Sequence, residues 1–477
     1  MTPTPVDLSP FIKAYDVRGL VGSQLTDDVV RALGAAFADE VGTPGGSVVV
    51  GHDMRDSSPG FAAVFAEGVQ DRGVGVVAIG LCSTDETYFA SGHFNLPAAM
   101  FTASHNPATY NGIKFSRAGA QGISLDTGLA AIRDRATVYL ENGIDVVDTR
   151  GELREVDVLT DYAVYLRSLV DLAGIRPLKV VVDAGNGMGG FTVPAVLGTG
   201  AGLPALPLDI VPLYFELDGT FPNHEANPLD PANIVDLQKA VVEHGADLGL
   251  AFDGDADRCF VVDEKGQAVT PSAIAAIVAL RAIERAKANG EGAEGDDQIV
   301  VLHNLITSRI VPETIIGAGA RPVRTRVGHS LIKDEMAATG AIFGGEHSAH
   351  YYFREFWGAD NGMLAAMYLL AEFGSHDGEM SELSARFTPY ALSGEINSTV
   401  ADIPAAYARI VDAYTGIADF DELDGLTVTG ITGGDEPFWW FSVRPSNTEP
   451  LLRLNVEAAT APKMASVRDH VLGLIRA

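Results

Sequence analysis

The chain has 477 residues, of which 47% are hydrophobic and 20% are charged, so its composition is that of a globular protein with several hydrophobic cores. Asp and Glu number 63 against 33 Lys and Arg, which gives a formal net charge of −30. This charge argues against a nucleic-acid-binding surface, which needs basic patches, and gives no support for docking on anionic lipid.

The two cysteines are too few for a disulfide framework. No apolar run approaches the roughly 18–20 residues of a membrane span. The first residues of the chain have neither the basic nor the apolar region of a secretory signal. We therefore expect a cytoplasmic protein that binds neither nucleic acid nor membrane.

Short β-branched runs alternate with alanine-rich amphipathic segments along most of the chain, which is typical of parallel sheets built from crossover units. The predicted strands form three successive groups, at residues 48–50, 74–79 and 98–101, at 180–182, 208–211 and 248–252, and at 299–302, 322–325 and 341–343. After about residue 383 the pattern changes to antiparallel strands at 392–400 and 439–443, followed by a helix from Pro462. We predict three similar α/β domains with mixed, mostly parallel sheets (1–155, 156–264 and 265–383) and a C-terminal α+β domain (384–477).

Residues 102–107, Thr-Ala-Ser-His-Asn-Pro, follow the predicted strand that ends at Phe101. Pro107 keeps Asn106 extended, so Ser104 projects from a junction between strand and loop. The pattern is compatible with a nucleophile or phosphate carrier, which needs activation by a base or a metal. An ordinary polar turn is the alternative.

Residues 252–258, Phe-Asp-Gly-Asp-Ala-Asp-Arg, place acids at 253, 255 and 257, with Arg258 closing the run. Carboxylates held this close repel each other unless a cation compensates, and an all-oxygen site favours Mg²⁺ or Ca²⁺. The apolar run 246–252 predicts a buried strand, and open α/β sheets bind ligands at the carboxyl ends of strands. In an extended segment, side chains two residues apart share a face, so all three acids can reach one ion. A solvated acidic turn is the alternative.

Three further loops carry polar side chains suited to a phosphorylated sugar. Residues 344–350, Gly-Gly-Glu-His-Ser-Ala-His, offer groups that hydrogen-bond sugar hydroxyls, although His347 and His350 are also possible metal ligands. Residues 444–450, Arg-Pro-Ser-Asn-Thr-Glu-Pro, contain the parts of a phosphate clamp. Residues 13–19 add two cations near the start of the chain. Each loop alone is also compatible with ordinary polar surface.

In combination and in this order, the motifs resemble those of the α-D-phosphohexomutase superfamily, and within it the bacterial phosphomannomutase/phosphoglucomutase branch. The resemblance covers nearly the whole chain and implies four domains around a deep central cleft, each contributing one loop. It implies an intramolecular phosphotransferase that interconverts hexose 6-phosphate and hexose 1-phosphate of mannose or glucose. The reaction would pass through a phosphoserine enzyme and a 1,6-bisphosphate intermediate.

The resemblance also implies a role for each site residue. Ser104 would carry the phosphoryl group and hold one Mg²⁺ with Asp253, Asp255 and Asp257. The residues expected at the reacting group are Ser104, His105, Lys114, Arg18, Arg258 and His329. The residues expected to bind substrate are Tyr15, Lys13, Glu346, His347, Ser348, His350, Arg444, Ser446, Asn447, Thr448 and Arg453.

The expected partners are a phosphosugar substrate and an activator of the glucose 1,6-bisphosphate type, bound by a monomer or homodimer. Asn447 resembles mannose- and glucose-type enzymes more than phosphoglucosamine mutases, which usually have Ser-Gly-Thr-Glu-Pro there. His347 and Ala349 stand where Met and Gly are common, so phosphoglucosamine mutase stays an alternative. A non-catalytic sugar-phosphate-binding protein and a phosphatase are further alternatives. The interpretation requires that Ser104 meet the three acids across a domain seam.

Overall fold

The computed structural model describes residues 7–12, 14–43, 45–292, 298–431, 437–445 and 451–477, and of residues 329 and 330 only the backbone. None of the helices in these residues combines the length and the hydrophobicity that a membrane crossing requires. The described elements form four successive units, domains I to IV, each built on a sheet of its own.

Domain I is a mixed sheet with helices on both faces. Its elements are β1 (Val17–Leu20), α1 (Asp27–Val41), β2 (Ser47–His52), α2 (Ser58–Asp71), β3 (Gly75–Leu81), α3 (Thr84–Phe94), β4 (Ala98–Phe101), β5 (Tyr110–Arg117), β6 (Gln121–Gly122), α4 (Leu129–Asn142) and β7 (Leu153–Glu155). The strand order is β1-β5-β4-β2-β3-β7, with β6 beside β5. Val48 and Val50 face the core under α1, α2 and α4, while Val49 faces the core under α3, as the alternation of a strand requires.

Domain II repeats the arrangement with a smaller sheet. Its elements are α5 (Leu159–Leu169), β8 (Leu178–Asp183), α6 (Gly189–Val196), β9 (Leu208–Leu213), α7 (Val235–His244), β10 (Leu248–Phe252), β11 (Cys259–Asp263) and β12 (Ala268–Val269). β8 is parallel to β9 and β10, whereas β11 is antiparallel to β10 and β12. The sheet therefore combines a parallel centre with an antiparallel edge.

Domain III has the same mixed pattern. Its elements are α8 (Pro271–Ala288), β13 (Val300–Asn304), α9 (Ile310–Gly317), β14 (Arg321–Thr325), α10 (His329–Thr339), β15 (Phe343–Gly345), β16 (Tyr351–Phe353), β17 (Ala359–Asp360), α11 (Gly362–Gly374) and α12 (Met380–Ala385). β13 is parallel to β14 and β15, and β16 is antiparallel to β15 and β17.

Domain IV differs, because its sheet is antiparallel throughout the described residues. Its elements are β18 (Ala391–Thr399), α13 (Ile403–Tyr414), β19 (Ala418–Asp421), β20 (Leu426–Gly430), β21 (Trp439–Pro445), β22 (Leu451–Ala458) and α14 (Ala461–Arg476). The strand order is β18-β22-β21-β20-β19. Short 3₁₀ turns occur elsewhere, at Ala118–Ala120, Leu125–Thr127, Pro231–Ile234 and Arg354–Phe356.

The hydrophobic cores do not correspond one to one with the four domains. One continuous core joins domains II and III to the α3 face of domain I, and a second core fills the other face of domain I. Domain IV has a core of its own, centred on Phe441, Val443 and Leu454. Domains I to III are therefore fused by shared packing, whereas domain IV is a separately packed unit.

One predicted strand is displaced. The strand predicted at residues 341–343 begins at Phe343 and continues through Gly344 and Gly345. Glycine has low β-propensity, so an apolar pattern ends before these two residues. Here, however, β13 and β16 supply hydrogen bonds on both sides and hold the glycines in the sheet.

Candidate active site

The loop that joins β4 to β5 carries Ser104. Its backbone is left-handed, with φ at 49°, a conformation that is unfavourable for a residue with a β-carbon. The Ser104 side chain is buried, and its Oγ lies 2.9 Å from Asp253 Oδ2 and 3.2 Å from His105 Nδ1. The structure therefore brings the Ser104 hydroxyl to the acidic trio across the seam between domains I and II, as the interpretation required.

Arg55 holds this loop from beneath, and its side chain is 2% exposed. The guanidinium donates hydrogen bonds of 2.7 to 3.0 Å to four carbonyl oxygens, those of Ser104, Asn106, Pro107 and Tyr110. The buried Asp53 lies 3.3 Å from the Arg55 Nε. Hydrogen bonds from a charged donor are about twice as strong as neutral ones, so Arg55 fixes the direction in which Ser104 points.

The three acids lie in the tight connection between the antiparallel strands β10 and β11. This connection is not extended, because Ala256 has φ at 63° and its N–H donates to the Asp253 carbonyl at 3.0 Å. The predicted convergence is therefore present, but turns of the loop produce it rather than the pleat of a strand. Carboxylate oxygens of Asp253, Asp255 and Asp257 lie within 4.8 Å of one another, and each side chain is buried.

Two glycines let three loops meet at this point. A β-carbon on Gly254 would lie 2.4 Å from the Ser104 carbonyl oxygen, and one on Gly187 would lie 2.6 Å from the Gly254 carbonyl oxygen. The N–H of Met188 also donates to the Gly254 carbonyl at 2.9 Å. The glycine-rich turn after β8 thus supports the acidic loop, as an ordinary structural turn does.

Lys114, on β5, reaches two of the acids. Its Nζ lies 2.7 Å from Asp255 Oδ2 and 2.5 Å from Asp257 Oδ2. Burial opposes the charge of Lys114, but the Asp255 and Asp257 carboxylates outweigh burial and hold its pKa well above the usual value. Burial likewise opposes ionisation of Asp255, but Lys114 and a hydrogen bond from Thr84 lower the pKa of Asp255 below its usual range.

Asp253 behaves differently from its neighbour. Burial raises the pKa of Asp253 to about 7 against the attraction of Arg258, and repulsion from Asp257 and Asp255 acts in the same direction as burial. The Arg258 Nε lies 2.9 Å from Asp253 Oδ2. A raised carboxyl pKa beside other carboxylates is the pattern expected where like charges need a further cation.

The same guanidinium contacts the residue that follows Ser104. An N–H of Arg258 donates to His105 Nδ1 at 2.8 Å. Burial, together with repulsion from Arg258 and Arg18, holds the pKa of His105 well below its usual value. The imidazole is therefore neutral, with Nδ1 as an acceptor. Arg18 itself donates to Asn106 Oδ1 at 2.7 Å, so three predicted residues surround the Ser104 loop.

The acidic loop fits a divalent cation. Among the described residues, Oδ1 of Asp255 and Oδ1 of Asp257 are buried without a hydrogen-bond partner, and the His350 Nε2 is 3.9 Å from the latter. Three carboxylates face the cations of Lys114 and Arg258, which leaves a surplus negative charge. Buried carboxylate oxygens are the ligands that Mg²⁺ and Ca²⁺ prefer.

Glu346 lies in the turn between β15 and β16, and its carboxylate is buried. It accepts hydrogen bonds from the Tyr352 hydroxyl at 2.8 Å and from the Asn304 amide at 3.2 Å. Ser348 Oγ is 3.0 Å from His350 Nδ1, and His350 Nδ1 is 3.7 Å from the Glu346 carboxylate. The structure thus brings these three predicted residues together.

The end of the acidic loop contacts this turn, because the backbones of Arg258 and His350 form an isolated antiparallel bridge. His347 lies elsewhere. Its Nδ1 is 2.9 Å from Ser272 Oγ, and the side chain lines an apolar cavity of about 330 Å³ between domains II, III and IV. Burial lowers the pKa of His347 to about 4. The structure does not bring the His347 side chain to the other predicted sugar ligands.

Domain IV contributes Arg444 and Arg453, which are paired across β21 and β22. Arg444 is 3.4 Å from the Asp424 carboxylate, and Arg453 is 3.4 Å from that of Glu395. Within the described ranges the Nε of each arginine is buried without a hydrogen-bond partner. Other predicted site groups lie outside the described residues, namely Lys13, Ser446, Asn447, Thr448 and the side chain of His329.

Tyr15 reaches from domain I towards domains III and IV. Burial raises its pKa, and the charges of Asp424 and Glu346 add to this effect. A β-carbon on Gly328 would lie 2.7 Å from the Tyr15 hydroxyl oxygen. The Tyr15 hydroxyl therefore lies where the loops of domains III and IV approach each other.

Sequence reasoning missed Arg55 and Thr84. Thr84 donates a hydrogen bond of 2.6 Å from its Oγ1 to Asp255 Oδ2. Arg55 follows β2, which pairs with β4, and Thr84 follows β3, which pairs with the other edge of β2. The carboxyl ends of parallel strands share one edge of a sheet, and this rule is the signal that identifies both positions.

Comparison with known proteins agrees with this geometry. Models of the phosphoglucomutase/phosphomannomutase family match in order, with alpha/beta/alpha domain I at residues 11–142, domain II at 160–266, domain III at 270–390 and the C-terminal domain at 395–474. The chain belongs to the phosphoglucomutase/phosphomannomutase family. Membership confirms the predicted superfamily and the predicted fold of three α/β domains followed by a C-terminal domain.

Relatives of this phosphoglucomutase/phosphomannomutase family member match over almost their whole length. A protein of Xanthomonas campestris named "Phosphohexose mutases" is 41% identical over 98% of this chain and 99% of its own. A phosphomannomutase of Salmonella montevideo is 37% identical over 97% of this chain and 98% of its own. A solved family protein from Burkholderia thailandensis superposes with a TM-score of 0.84 at 29% identity, covering 99% of this chain and 98% of its own.

Proposed function

We propose that this protein is a phosphohexomutase that interconverts the 6-phosphate and 1-phosphate of mannose or glucose, with Ser104 as the phosphoryl carrier. The supporting observation is the 2.9 Å contact between Ser104 Oγ and Asp253 inside a buried cluster of carboxylates and cations. The names of the relatives, phosphohexose mutases and phosphomannomutase, indicate the same class of intramolecular phosphotransferase.

The acidic loop would hold Mg²⁺ through Asp253, Asp255 and Asp257, together with an oxygen of phosphorylated Ser104. The ion supplies neutralisation of charge on the transferring phosphoryl group. A phosphoserine brings about −1.5 to −2 further charges into a cluster that is already negative. Lys114 and Arg258 cannot balance that total, so phosphorylation of Ser104 increases the need for a divalent cation.

In the first transfer, the free C6 hydroxyl of a hexose 1-phosphate attacks the phosphorus carried by Ser104. The bond from phosphorus to O6 forms while the bond to Ser104 Oγ breaks. The hydroxyl proton leaves O6, and Oγ takes up a proton. Lys114, which is protonated, serves as the acid that supplies the proton to Oγ, and His329 serves as the base that takes the proton from O6. Arg258 and Arg18 balance charge at the transferring group.

The 1,6-bisphosphate then turns over in the cleft and returns its other phosphoryl group to Ser104. Recognition must work for a phosphate at either end of the sugar. Arg444 and Arg453 bind the phosphate that is not transferred, together with the hydroxyl and amide groups of Ser446, Asn447 and Thr448. Glu346, Ser348 and His350 bind sugar hydroxyls that both orientations present. A hexose 1,6-bisphosphate also primes an unphosphorylated Ser104 by the same transfer.

The test is a coupled assay on mannose 1-phosphate, glucose 1-phosphate and glucosamine 1-phosphate, with Mg²⁺ and catalytic glucose 1,6-bisphosphate. Ser104→Ala should lower kcat by at least about 10³-fold, because the carrier oxygen is lost. Ser116→Ala is the matched control, since Ser116 is a buried serine of the same domain whose hydroxyl has no partner in the described part of the chain.

Turnover of Ser104→Ala equal to that of the unchanged protein would contradict Ser104 as the carrier. Inorganic phosphate as the main product would indicate a phosphatase instead. A preference for glucosamine 1-phosphate over both hexose 1-phosphates would select phosphoglucosamine mutase, and binding of all three without turnover would indicate a non-catalytic protein.

A further inference from the structure

Helix α3 of domain I begins against the acidic loop of domain II. Its first residue, Thr84, is fully buried. The Thr84 N–H donates to the Asp255 carbonyl oxygen at 3.1 Å, and the Thr84 hydroxyl donates to Asp255 Oδ2 at 2.6 Å. One residue of domain I therefore holds both the backbone and the side chain of the middle acid.

These contacts distinguish the two oxygens of the Asp255 carboxylate. Oδ2 accepts from the Thr84 hydroxyl and from the Lys114 ammonium at 2.7 Å. Oδ1, which is also buried, has no hydrogen-bond partner among the residues that the structure describes. Rotation of the carboxylate would break the contacts at Oδ2, so Thr84 and Lys114 together keep Oδ1 as the oxygen that these donors leave available.

The start of α3 is itself firmly placed. Ser83 caps the helix, accepting from the Glu86 N–H at 3.2 Å while its own N–H donates to the Glu86 carboxylate at 3.0 Å. Asp85 accepts a hydrogen bond of 2.5 Å from the hydroxyl of Tyr162 in domain II. That hydroxyl in turn accepts from Asn361 of domain III at 3.3 Å. Contacts from three domains therefore fix the position of Thr84.

We propose that Thr84 is a positioning residue for a ligand of the divalent cation. By binding Oδ2 of Asp255, Thr84 holds that oxygen away from the ion and presents Oδ1 to it. This inference rests on the proposed function, because it takes the acidic loop as the metal site. Residues that orient a metal ligand typically contribute about 10- to 100-fold to metal affinity. The expected signature is therefore weaker metal binding before any substrate is present.

The test compares Thr84→Val, which removes the hydroxyl at nearly constant volume, with Thr84→Ser, which keeps it. Thr87→Val is the matched control, because Thr87 is a buried threonine on the next turn of α3 whose hydroxyl contacts Cys82, Ser83 and Met100 rather than the acids. Mg²⁺ binding to the full-length protein is measured by titration calorimetry, without substrate. Circular dichroism confirms folding of each variant, and Thr84→Ala provides a second deletion of the hydroxyl.

Thr84→Val and Thr84→Ala should each raise the Kd for Mg²⁺ by about tenfold or more, while Thr84→Ser and Thr87→Val stay within about threefold. An unchanged Kd in either folded deletion variant overturns the inference, and so does an equal loss in Thr87→Val. Failure of the proposed function gives a different result, because the unchanged protein would then bind no Mg²⁺ or show no mutase turnover.

Discussion

The two arginines of domain IV and the cluster at the seam of domains I and II are held in opposite ways. The seam cluster is defined as Ser104, Lys114, Asp253, Asp255, Asp257 and Arg258. Its hydrogen bonds between side chains are 2.5 to 2.9 Å long, and the groups are largely buried. Within the part of the chain that the structure describes, Arg444 and Arg453 each lie 3.4 Å from one carboxylate. They also belong to a domain with a separate core.

The difference separates two tasks of a mutase. Phosphoryl transfer demands fixed alignment, and a displacement of about 1 Å can cost about 10²-fold in rate. Recognition of a sugar that must bind in two orientations demands adjustable contacts instead. The packing follows this division, because the seam cluster lies on domains that share one core while the arginines lie on a domain with a core of its own.

Among the substitutions that test this comparison, the largest fall in kcat is expected at the seam cluster and the Ser104 loop, where alignment is fixed. Arg55→Lys keeps a positive charge but loses most of the hydrogen bonds to the Ser104 loop, so kcat should fall by about 10²-fold while KM changes little. Steady-state kinetics on the preferred hexose 1-phosphate measures both constants.

Arg167→Lys is the control for this change, because Arg167 also donates to several backbone carbonyls, those of Val196, Gly198 and Pro204, but in domain II outside the described site. An equal fall of kcat in Arg167→Lys would mean that loss of any such clamp harms the enzyme. The fall of kcat in Arg55→Lys would then not be specific to the Ser104 loop.

A smaller effect, and one of a different kind, is expected in domain IV. If Arg444 binds the phosphate that does not react, as proposed, Arg444→Ala should raise KM about tenfold while kcat stays within about threefold. Arg409→Ala, in the same domain, removes a guanidinium that donates to the Leu474 carbonyl at 2.8 Å and should leave both constants unchanged. If kcat falls and KM holds in Arg444→Ala, then domain IV takes part in alignment.

The smallest effect on turnover is expected at His347, which belongs to the loop of residues 344–350 but whose side chain lines the apolar cavity. Its folded pKa of about 4 is below the usual 6.5, so between these values only the unfolded state takes up the proton. The free energy of unfolding therefore falls as pH decreases through this window, by up to about 3 kcal/mol at pH 4. His347→Met should remove this part of the pH dependence.

Urea unfolding at pH 7 and pH 5 measures the effect, with the exposed His244→Met as control. Turnover of His347→Met at pH 7 should stay within about twofold of the unchanged protein, because the His347 side chain lines the apolar cavity and not the proposed sugar site. A large rise in KM for His347→Met would instead return His347 to the substrate-binding residues.

Much of the fold follows from patterns within the sequence. Nearly all predicted strands lie within or beside observed ones, since β-branched runs bounded by turn residues report buried strands directly. The meeting of Ser104 with the acids was also predictable, because loops at the carboxyl ends of strands face a common edge. The alternation of side chains along a strand does not predict the shape of the acidic loop, because that shape depends on the left-handed backbone of Ala256.

The residues that were missed act over long separations in sequence. The contacts that place Arg55 and Thr84 at the site, to Ser104 and Asp255, span 49 and 171 residues, so a local motif does not reveal their role. The direction of the His347 side chain depends on Ser272 and on the packing of domain IV, which a local motif does not encode. Long-range packing therefore decided each of these positions.

The near contact between Gly254 and the Ser104 carbonyl has a consequence for engineering. The neighbouring domain restricts position 254 of the acidic run to glycine, since no methyl group fits between this loop and the Ser104 loop. Grafting the acids alone onto another scaffold would reproduce the ligands but not the approach of a second backbone. A transplant therefore needs the glycine and the opposing serine loop as one unit.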